Sequence, residues 1–162
     1  AASLGAGIPA DAKTLKWAND GDVIRTFIKP HPKNRQKMIV CPAEENAREA
    51  VTTYEVLERF DGFTYVRLLP KTGRTHQLRV HMRHIGHPIV ADALYAGHDK
   101  LMLSEATGQE NDAGECVIDR QALHAFRLDL AHPLTERRMQ FEAPLPDDMS
   151  RLLEALRQYK NR

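Results

Sequence analysis

The hydrophobic period of this chain changes at Pro70–Gly73, and that change limits the folds that the chain can adopt. Before this point, β-branched and aromatic residues gather in short runs that are typical of strands. After it, Leu78, Met82 and Ile85 recur at the spacing of one helical face. The strand candidates are 23–28, 37–40, 52–58 and 63–69, the last two joined by an Asp61-Gly62 hairpin turn.

The helical spacing predicts an α-helix over His76–Ile85. Thr75 is placed to cap its start, because a threonine hydroxyl can accept a hydrogen bond from a free backbone N–H. Gly86 is placed to end the helix, because glycine readily takes the left-handed conformation after a last helical turn. We expect Arg79 and Arg83 to lie opposite the apolar stripe.

The remaining segments complete an α+β pattern. Residues 122–130 and 139–143 alternate like strands, and apolar residues at helical spacing follow Pro146. Residues 1–20 are expected to form an arm, and 99–120 a flexible acidic loop. The order of strands and helices predicts an α+β fold with a mainly antiparallel mixed sheet and flanking helices. The length predicts that residues 1–162 form one domain.

The net charge of +1 conceals a segregation of charge. Residues 23–43 and 62–91 contain no acid and together carry ten lysines and arginines, so the rest of the chain carries 13 − 22 = −9. A nearly neutral chain with this distribution can present one basic face to a nucleic acid.

Composition also excludes several classes of protein. Cys41 and Cys116 are too few for a disulfide framework, which favours a reducing compartment, and we expect the cytoplasm. The first residues lack the charged and apolar regions of a signal peptide, and no apolar run approaches a membrane span.

The densest functional pattern is the cationic segment 69–88, a strand followed by a glycine turn and a helix start. Helix N-termini offer free N–H groups to anions, and arginine adds bidentate recognition of carboxylate or phosphate. The segment therefore indicates an anion site for a catalytic carboxylate or an RNA phosphate. The alternative is a solvated basic helix face.

Within that segment, Thr72-Gly73-Arg74-Thr75-His76-Gln77-Leu78-Arg79-Val80-His81 resembles the third signature motif of the RluA family of pseudouridine synthases. The resemblance runs from about Val23 to the end of the chain. Ala91 departs from it, because the family usually has glycine there. Further matches are Ile85–Ile89, Asp92-x-x-Tyr95, 123–125, 132–135 and 139–146.

The resemblance implies a pseudouridine synthase catalytic fold that isomerises uridine in rRNA or tRNA, with no metal and no cofactor. It implies one essential aspartate paired with an arginine, for which Arg79 is the best match. The residues expected to bind RNA are Arg74, His76, Gln77, Arg83, Lys71, Arg35 and Lys37.

The family's aspartate motif, His-Arg-Leu-Asp followed by Thr-Ser-Gly, is not found in this sequence. Arg127-Leu128-Asp129 follows Phe126 instead of histidine and lies downstream of Arg79, so we expect Asp129 to be exposed and not catalytic. We therefore expect the aspartate upstream of this chain, the chain alone to be inactive, and Arg79 to lack its partner. The missing first strands would leave an open sheet edge for self-association. The alternatives are a split enzyme and a non-catalytic relative that binds RNA.

A metal site is the rival interpretation, because His76, His81, His84 and His87 lie within twelve residues. His81 and His84 would lie near each other on a helix and could share an ion. No cysteine or carboxylate completes a familiar zinc spacing beside them, so we predict no metal.

Overall fold

The structure is a computed structural model that describes residues 2–4, 20–112 and 114–160. Its main element is a six-stranded sheet in which every neighbouring pair is antiparallel. The strands of this sheet are β1 (Ala2–Leu4), β2 (Gly21–Pro30), β3 (Met38–Cys41), β4 (Arg48–Arg59), β5 (Thr64–Pro70) and β8 (Leu123–His124). Their order across the sheet is β3-β2-β4-β5-β1-β8.

Three helices and two small strand pairs complete the fold. The helices are α1 (Gln77–His84), α2 (Leu103–Thr107) and α3 (Asp147–Tyr159). The strand pairs are β6 (Leu101–Met102) with β7 (Cys116–Ile118), and β9 (Arg127–Ala131) with β10 (Arg138–Glu142). The predicted α+β class with a mainly antiparallel sheet is confirmed.

One face of the sheet is buried because side chains alternate along each strand. On β4, Ala50, Thr52 and Tyr54 point inward, and on β5, Val66 and Leu68 do so. The register sets Tyr54 opposite Leu68, so the inward rows of the two strands coincide. This face supports the helices and fixes where α1 lies.

Helix α3 supplies much of the core beneath that face. Met149, Leu152, Leu153 and Leu156 recur at helical spacing, and each is at most 2% exposed. They belong to one cluster with the inward side chains of β5. The predicted C-terminal amphipathic helix is thus present, and it begins directly after Pro146.

The segment 99–120 is not the flexible loop that its acidic composition suggested. It forms β6, α2, a 3₁₀ turn at Glu110–Asp112 and β7. Leu101, Ala106, Val117 and Ile118 are buried in the main core, which offsets the polar character of the exposed positions. Of the predicted arm, Ala2–Leu4 forms β1 between β5 and β8, and 5–19 lie outside the described residues.

The ends of α1 bear out one of the two expected capping residues. Gly86 has φ +82, and the N–H groups of Gly86 and His87 bond to the carbonyls of Arg83 and Met82, a Schellman ending. The N-cap is His76, not Thr75, and it makes no side-chain capping bond. The expectation for Thr75 is wrong because the turn places His76 in the left-handed region, at φ 53.

Two short strands, β3 and β8, form the edges of the six-stranded sheet. Short edge strands limit pairing between molecules, and self-association through this edge stays a prediction. The β9–β10 hairpin lies apart from that sheet, and Asp129 on it is exposed as expected. In the described part of the chain, no helix is long and apolar enough to cross a membrane.

Candidate active site

The turn before α1 is organised by Gln77, which is 4% exposed. Its Oε1 accepts hydrogen bonds from the Thr72 hydroxyl at 2.7 Å and the Arg74 N–H at 3.0 Å. Its Nε2 donates to the Val51 carbonyl and to Thr52 Oγ1, both at 3.0 Å. These four bonds use both N–H groups and both lone pairs of the amide. Gln77 therefore fixes the turn against β4, and the expectation that it contacts RNA stays a prediction.

His76 lies at the end of this turn, where it is the N-cap of α1, and its backbone is in the left-handed conformation. Its Nδ1 lies 3.1 Å from the Tyr95 hydroxyl, and the two rings meet edge to face with centroids 5.8 Å apart. Burial, and then the nearby charge of Arg79, lowers the pKa of His76 below its usual value. The imidazole is therefore mainly neutral at pH 7 and adds little positive charge to the site.

Arg79, one turn into α1, forms a bidentate ion pair with Asp92. Its Nε and Nη2 donate to Oδ2 and Oδ1 of Asp92, each at 2.7 Å. The Asp92 side chain is 0% exposed and that of Arg79 is 13% exposed. The hydrogen bonds to Asp92 raise the pKa of Arg79, so the guanidinium is permanently charged. Arg79 is thus paired with a carboxylate other than the family's catalytic aspartate, and the absence of that aspartate stays a prediction.

Asp92 is held too completely to act as a nucleophile. Besides Arg79, its Oδ1 accepts the backbone N–H groups of Leu94 and Tyr95, both at 3.1 Å. Both carboxylate oxygens are thus occupied, and the group has no exposed surface. The arrangement makes Asp92 a positioning residue that orients the guanidinium of Arg79.

The guanidinium keeps one edge for a second anion. Arginine has five N–H donors, and the pair with Asp92 uses two of them, so three have no hydrogen-bond partner among the described residues. Its central carbon lies 5.1 Å from the centroid of the Tyr95 ring, a cation–π contact that fixes its plane. The Arg79 side chain is 13% exposed, and a carboxylate or phosphate that reaches it would encounter a guanidinium of fixed orientation.

Comparison with known proteins identifies the family. Residues 10–84 match the family described as RNA pseudouridylate synthase. The ribosomal large subunit pseudouridine synthase D of Pseudomonas aeruginosa is 45% identical over 148 residues, which cover 91% of this chain and 45% of that protein. The chain belongs to the RluA family of pseudouridine synthases. The Escherichia coli protein of the same name is 41% identical over 153 residues, 91% of this chain and 44% of that protein.

Solved structures agree with this assignment. Human RNA Pseudouridylate Synthase Domain Containing 4 superposes with a TM-score of 0.64 at 27% identity, over 96% of this chain and 60% of that one. Human RNA Pseudouridylate Synthase Domain Containing 1 gives 0.59 at 25% identity, over 99% and 66%. The chain spans less than half the length of the two bacterial relatives. The family match also extends into residues 10–19, outside the described part.

The RluA-family preference for glycine before Asp92 has a structural reason. Ala91 has φ 54, in the left-handed region where glycine is free of steric cost. Ala91 is 2% exposed, and its neighbours hold it in that conformation. This bend turns the chain so that Asp92 faces Arg79.

The residues predicted to bind RNA fall into two groups at opposite ends of α1. Lys71 and Arg74 lie at the N-terminal turn, where Arg74 Nε donates to the Glu49 carbonyl at 3.0 Å. Lys37 and Arg83 line a cleft near the C-terminal end of α1, and the exposed Arg35 lies in the adjacent turn. The helix of eight residues separates the two groups by about 12 Å along its axis.

The sequence motif contained Asp92 and Tyr95, but their roles became visible only in the structure. A signal was present: Asp92 follows the apolar run Pro88–Ala91, and a buried acid requires a cation. The spacing of 13 residues from Arg79 crosses a helix end and two turns, so periodicity could not connect them.

The histidine cluster does not form a metal site in the described part of the chain, where no three His, Cys, Asp or Glu side chains come together. His81 is 0% exposed, with Nε2 and Nδ1 each 2.9 Å from the hydroxyls of Thr26 and Thr52. Burial lowers its pKa to about 4. His81 therefore joins α1 to β2 and β4 as a neutral core residue.

Proposed function

We propose that this chain carries the arginine half of the active site of an enzyme that isomerises uridine to pseudouridine in large-subunit ribosomal RNA. The observation that carries the proposal is Arg79, which Asp92 and Tyr95 orient while three N–H donors remain available. Ribosomal RNA is favoured over transfer RNA by the names of the curated relatives.

In this proposal the catalytic aspartate is supplied by a segment outside these 162 residues. Asp92 is the carboxylate that pairs with Arg79 in the described residues, and its two oxygens together accept four hydrogen bonds. Asp129 is bonded to Arg127 on an exposed hairpin, outside the site. The open edge of Arg79 would hold the incoming aspartate ionised, because a neighbouring cation lowers the pKa of a carboxyl group.

The reaction needs no external atom or electron, since the product is an isomer of the substrate. The glycosidic C–N bond of uridine breaks, the uracil turns, and a C–C bond forms to C5 of the base; C5 then loses its proton and N1 gains one, so that the product is an isomer of uridine. The target nucleotide must leave its stack to reach the aspartate. Arg79 contributes a fixed charge beside that aspartate, with no reorganisation during the reaction.

The test uses the natural full-length protein, whose intact mass and upstream coding sequence are determined first. It is incubated with a large-subunit ribosomal RNA transcript, and pseudouridine is measured by mass spectrometry of the digested RNA. We expect pseudouridine at one or a few positions and an Asp motif upstream of this segment. Absence of pseudouridine in every ribosomal RNA tested, from folded protein, would contradict the proposal.

The second candidate is an RNA-binding relative without isomerase activity, favoured by the absence of the family's aspartate motif from these 162 residues. It predicts RNA affinity without pseudouridine. With about four phosphate contacts, log K would fall with log salt at a slope of about −3 on single strands. A salt-independent affinity would exclude RNA as the partner in either candidate.

We place the protein in the cytoplasm. Cys41 and Cys116 are both free thiols, which fits a reducing compartment.

A further inference from the structure

A second site lies beside the candidate active site, between the turn that joins β2 to β3 and the C-terminal half of α1. It is a cleft of about 570 Å³, within the size range of small-ligand sites. Tyr95 lines this cleft, and the guanidinium of Arg79 lies over the Tyr95 ring. The cleft and the candidate active site therefore share a wall.

Among the residues that the structure describes, those lining this cleft include no carboxylate. Its cations are Lys37, from the first acid-free stretch, and Arg83, from the second, so the fold brings both stretches to one place. In the described part of the chain neither side chain forms an ion pair, unlike Arg79. Two uncompensated cations that face one cavity favour an anion there.

His31 adds a further hydrogen-bond donor to this rim. Its Nδ1 accepts the backbone N–H groups of Lys33 and Asn34, both at 3.1 Å. In the neutral imidazole the proton is then on Nε2, which leaves an N–H to donate toward a ligand. The turn itself is closed by hydrogen bonds between the backbones of His31, Asn34 and Lys37.

The floor of the cleft is apolar, whereas its rim is cationic. Met38, Val40, Val80 and Leu94 line the interior. Tyr95 ties the two walls together, because its hydroxyl accepts the N–H of Met38 at 2.8 Å. An apolar floor under a cationic rim matches a ligand with a flat, weakly polar ring and an attached phosphate.

We propose that this cleft binds one unpaired nucleotide of the RNA, next to the nucleotide that enters the active site. Its phosphate lies between Lys37 and Arg83 with His31 as a further donor, and its base rests on the apolar floor. The proposal depends on RNA being the substrate, as in the proposed function, and adds where a flanking nucleotide is held. Unstacked bases of single-stranded segments are the usual targets of sequence-specific RNA recognition.

The first test measures binding of a fluorescent 12-nucleotide single-stranded RNA by anisotropy across a salt series. The variant Lys37→Gln/Arg83→Gln should raise Kd about tenfold or more and reduce the salt slope by about 1.4, at about 0.7 per contact on a single strand. The matched control is Arg137→Gln/Arg138→Gln, which removes the same charge from the exposed β9–β10 hairpin. An equal change in both double variants would overturn the proposal, because only general charge would then matter.

The second test fills the cleft without changing its charge. Ala96 lines the cavity, and Ala96→Phe should weaken RNA binding several-fold while the salt slope stays that of the wild-type protein. Unchanged affinity in a folded Ala96→Phe protein would show that no base enters. Displacement of the RNA by an equal concentration of uridine monophosphate would also overturn the proposal, since the cleft would then be a free-nucleotide site.

These outcomes are separable from the proposed function. Pseudouridine formation by the full-length protein with an unaltered Kd and slope in Lys37→Gln/Arg83→Gln would reject the cleft alone. Loss of binding in that variant, with no pseudouridine from the wild-type protein, would reject the isomerase and keep the cleft.

Discussion

The two ends of α1 carry cations from the same acid-free stretch, but these cations differ in burial and in ion pairing. In its N-terminal half, Arg79 is held by Asp92 and lies over Tyr95. Near the C-terminal end, Arg83 is exposed and has no carboxylate partner in the described residues. In the two proposals, the charge that faces a reacting aspartate is fixed by its neighbours, whereas the charge that faces phosphates is left free. Charge counts along the sequence do not separate these two uses.

The ion pair between Arg79 and Asp92 is the clearest difference between the two ends of α1. Arg79→Met should lower the free energy of unfolding by about 3–5 kcal/mol, because it leaves Asp92 buried and uncompensated. Adding Asp92→Asn should restore part of that loss by removing the stranded charge. Urea unfolding of the two single variants and the double variant measures the coupling between the residues.

The control for this experiment is an exposed pair. Arg25 and Glu49 form an ion pair with side chains 65% and 47% exposed, so Arg25→Met should cost less than about 1 kcal/mol. A loss at Arg79 no larger than the loss at Arg25 would mean that the buried pair is not a fixed element.

A pH series tests the inner face of the same helix. The pKa of His81 is lowered from 6.5 to about 4 by burial, so the unfolded chain binds more protons between these values. Stability should therefore fall as pH drops from about 6.5 to about 4, by on the order of 3 kcal/mol for this group. His87 has a similar pKa and adds to the loss.

The readout for His81 is the slope of stability against pH, from urea unfolding between pH 7.5 and 4.5. His81→Gln should flatten this slope in part, because His87 and His76, whose pKa values are also lowered, remain. A His81→Gln protein with the full wild-type slope would show that His81 is not the titrating group.

A smaller effect is expected at the turn that fixes the N-terminal end of α1. Gln77→Ala should cost about 2–3 kcal/mol, because its partners Thr72, Val51 and Thr52 lose hydrogen bonds in a buried setting. If the amide instead contacted RNA, affinity would fall while stability stayed near wild type. Thermal unfolding and RNA anisotropy on the same protein distinguish the two outcomes.

The smallest effect is a gain at the bend before Asp92. Ala91→Gly should raise the free energy of unfolding by up to about 1 kcal/mol, because glycine adopts φ 54 without steric cost. The gain is partly offset by the greater freedom of glycine in the unfolded chain. Destabilisation by Ala91→Gly would mean that packing of the alanine methyl outweighs the backbone strain.

Much of the fold could be predicted because hydrophobic period identifies strands and helices locally. The strands around Val23–Ile28 and Phe63–Leu69, the helix that starts near His76, and its end at Gly86 all follow from local patterns. The segment 99–120 could not be predicted, because its four buried apolar residues are scattered among acids and show no period.

The candidate site was only half predictable for a related reason. The motif named Arg79, Gln77 and His76, but a motif does not state which polar atoms are already satisfied. Asp92 neutralises Arg79 only because the chain bends at Ala91, and the Gln77 amide is fully hydrogen-bonded only because β4 lies beneath it. Those facts depend on contacts between distant segments.

The most direct test of the oriented arginine is pseudouridine formation by the full-length protein carrying Arg79→Lys. Lysine keeps the charge and can still face Asp92, but it lacks the planar fork whose free edge would hold a second carboxylate. We predict a loss of turnover of at least about a hundredfold, with RNA affinity within about threefold of wild type. Turnover close to wild type in Arg79→Lys would contradict this role, because the oriented edge of Arg79 would then have no part in the reaction.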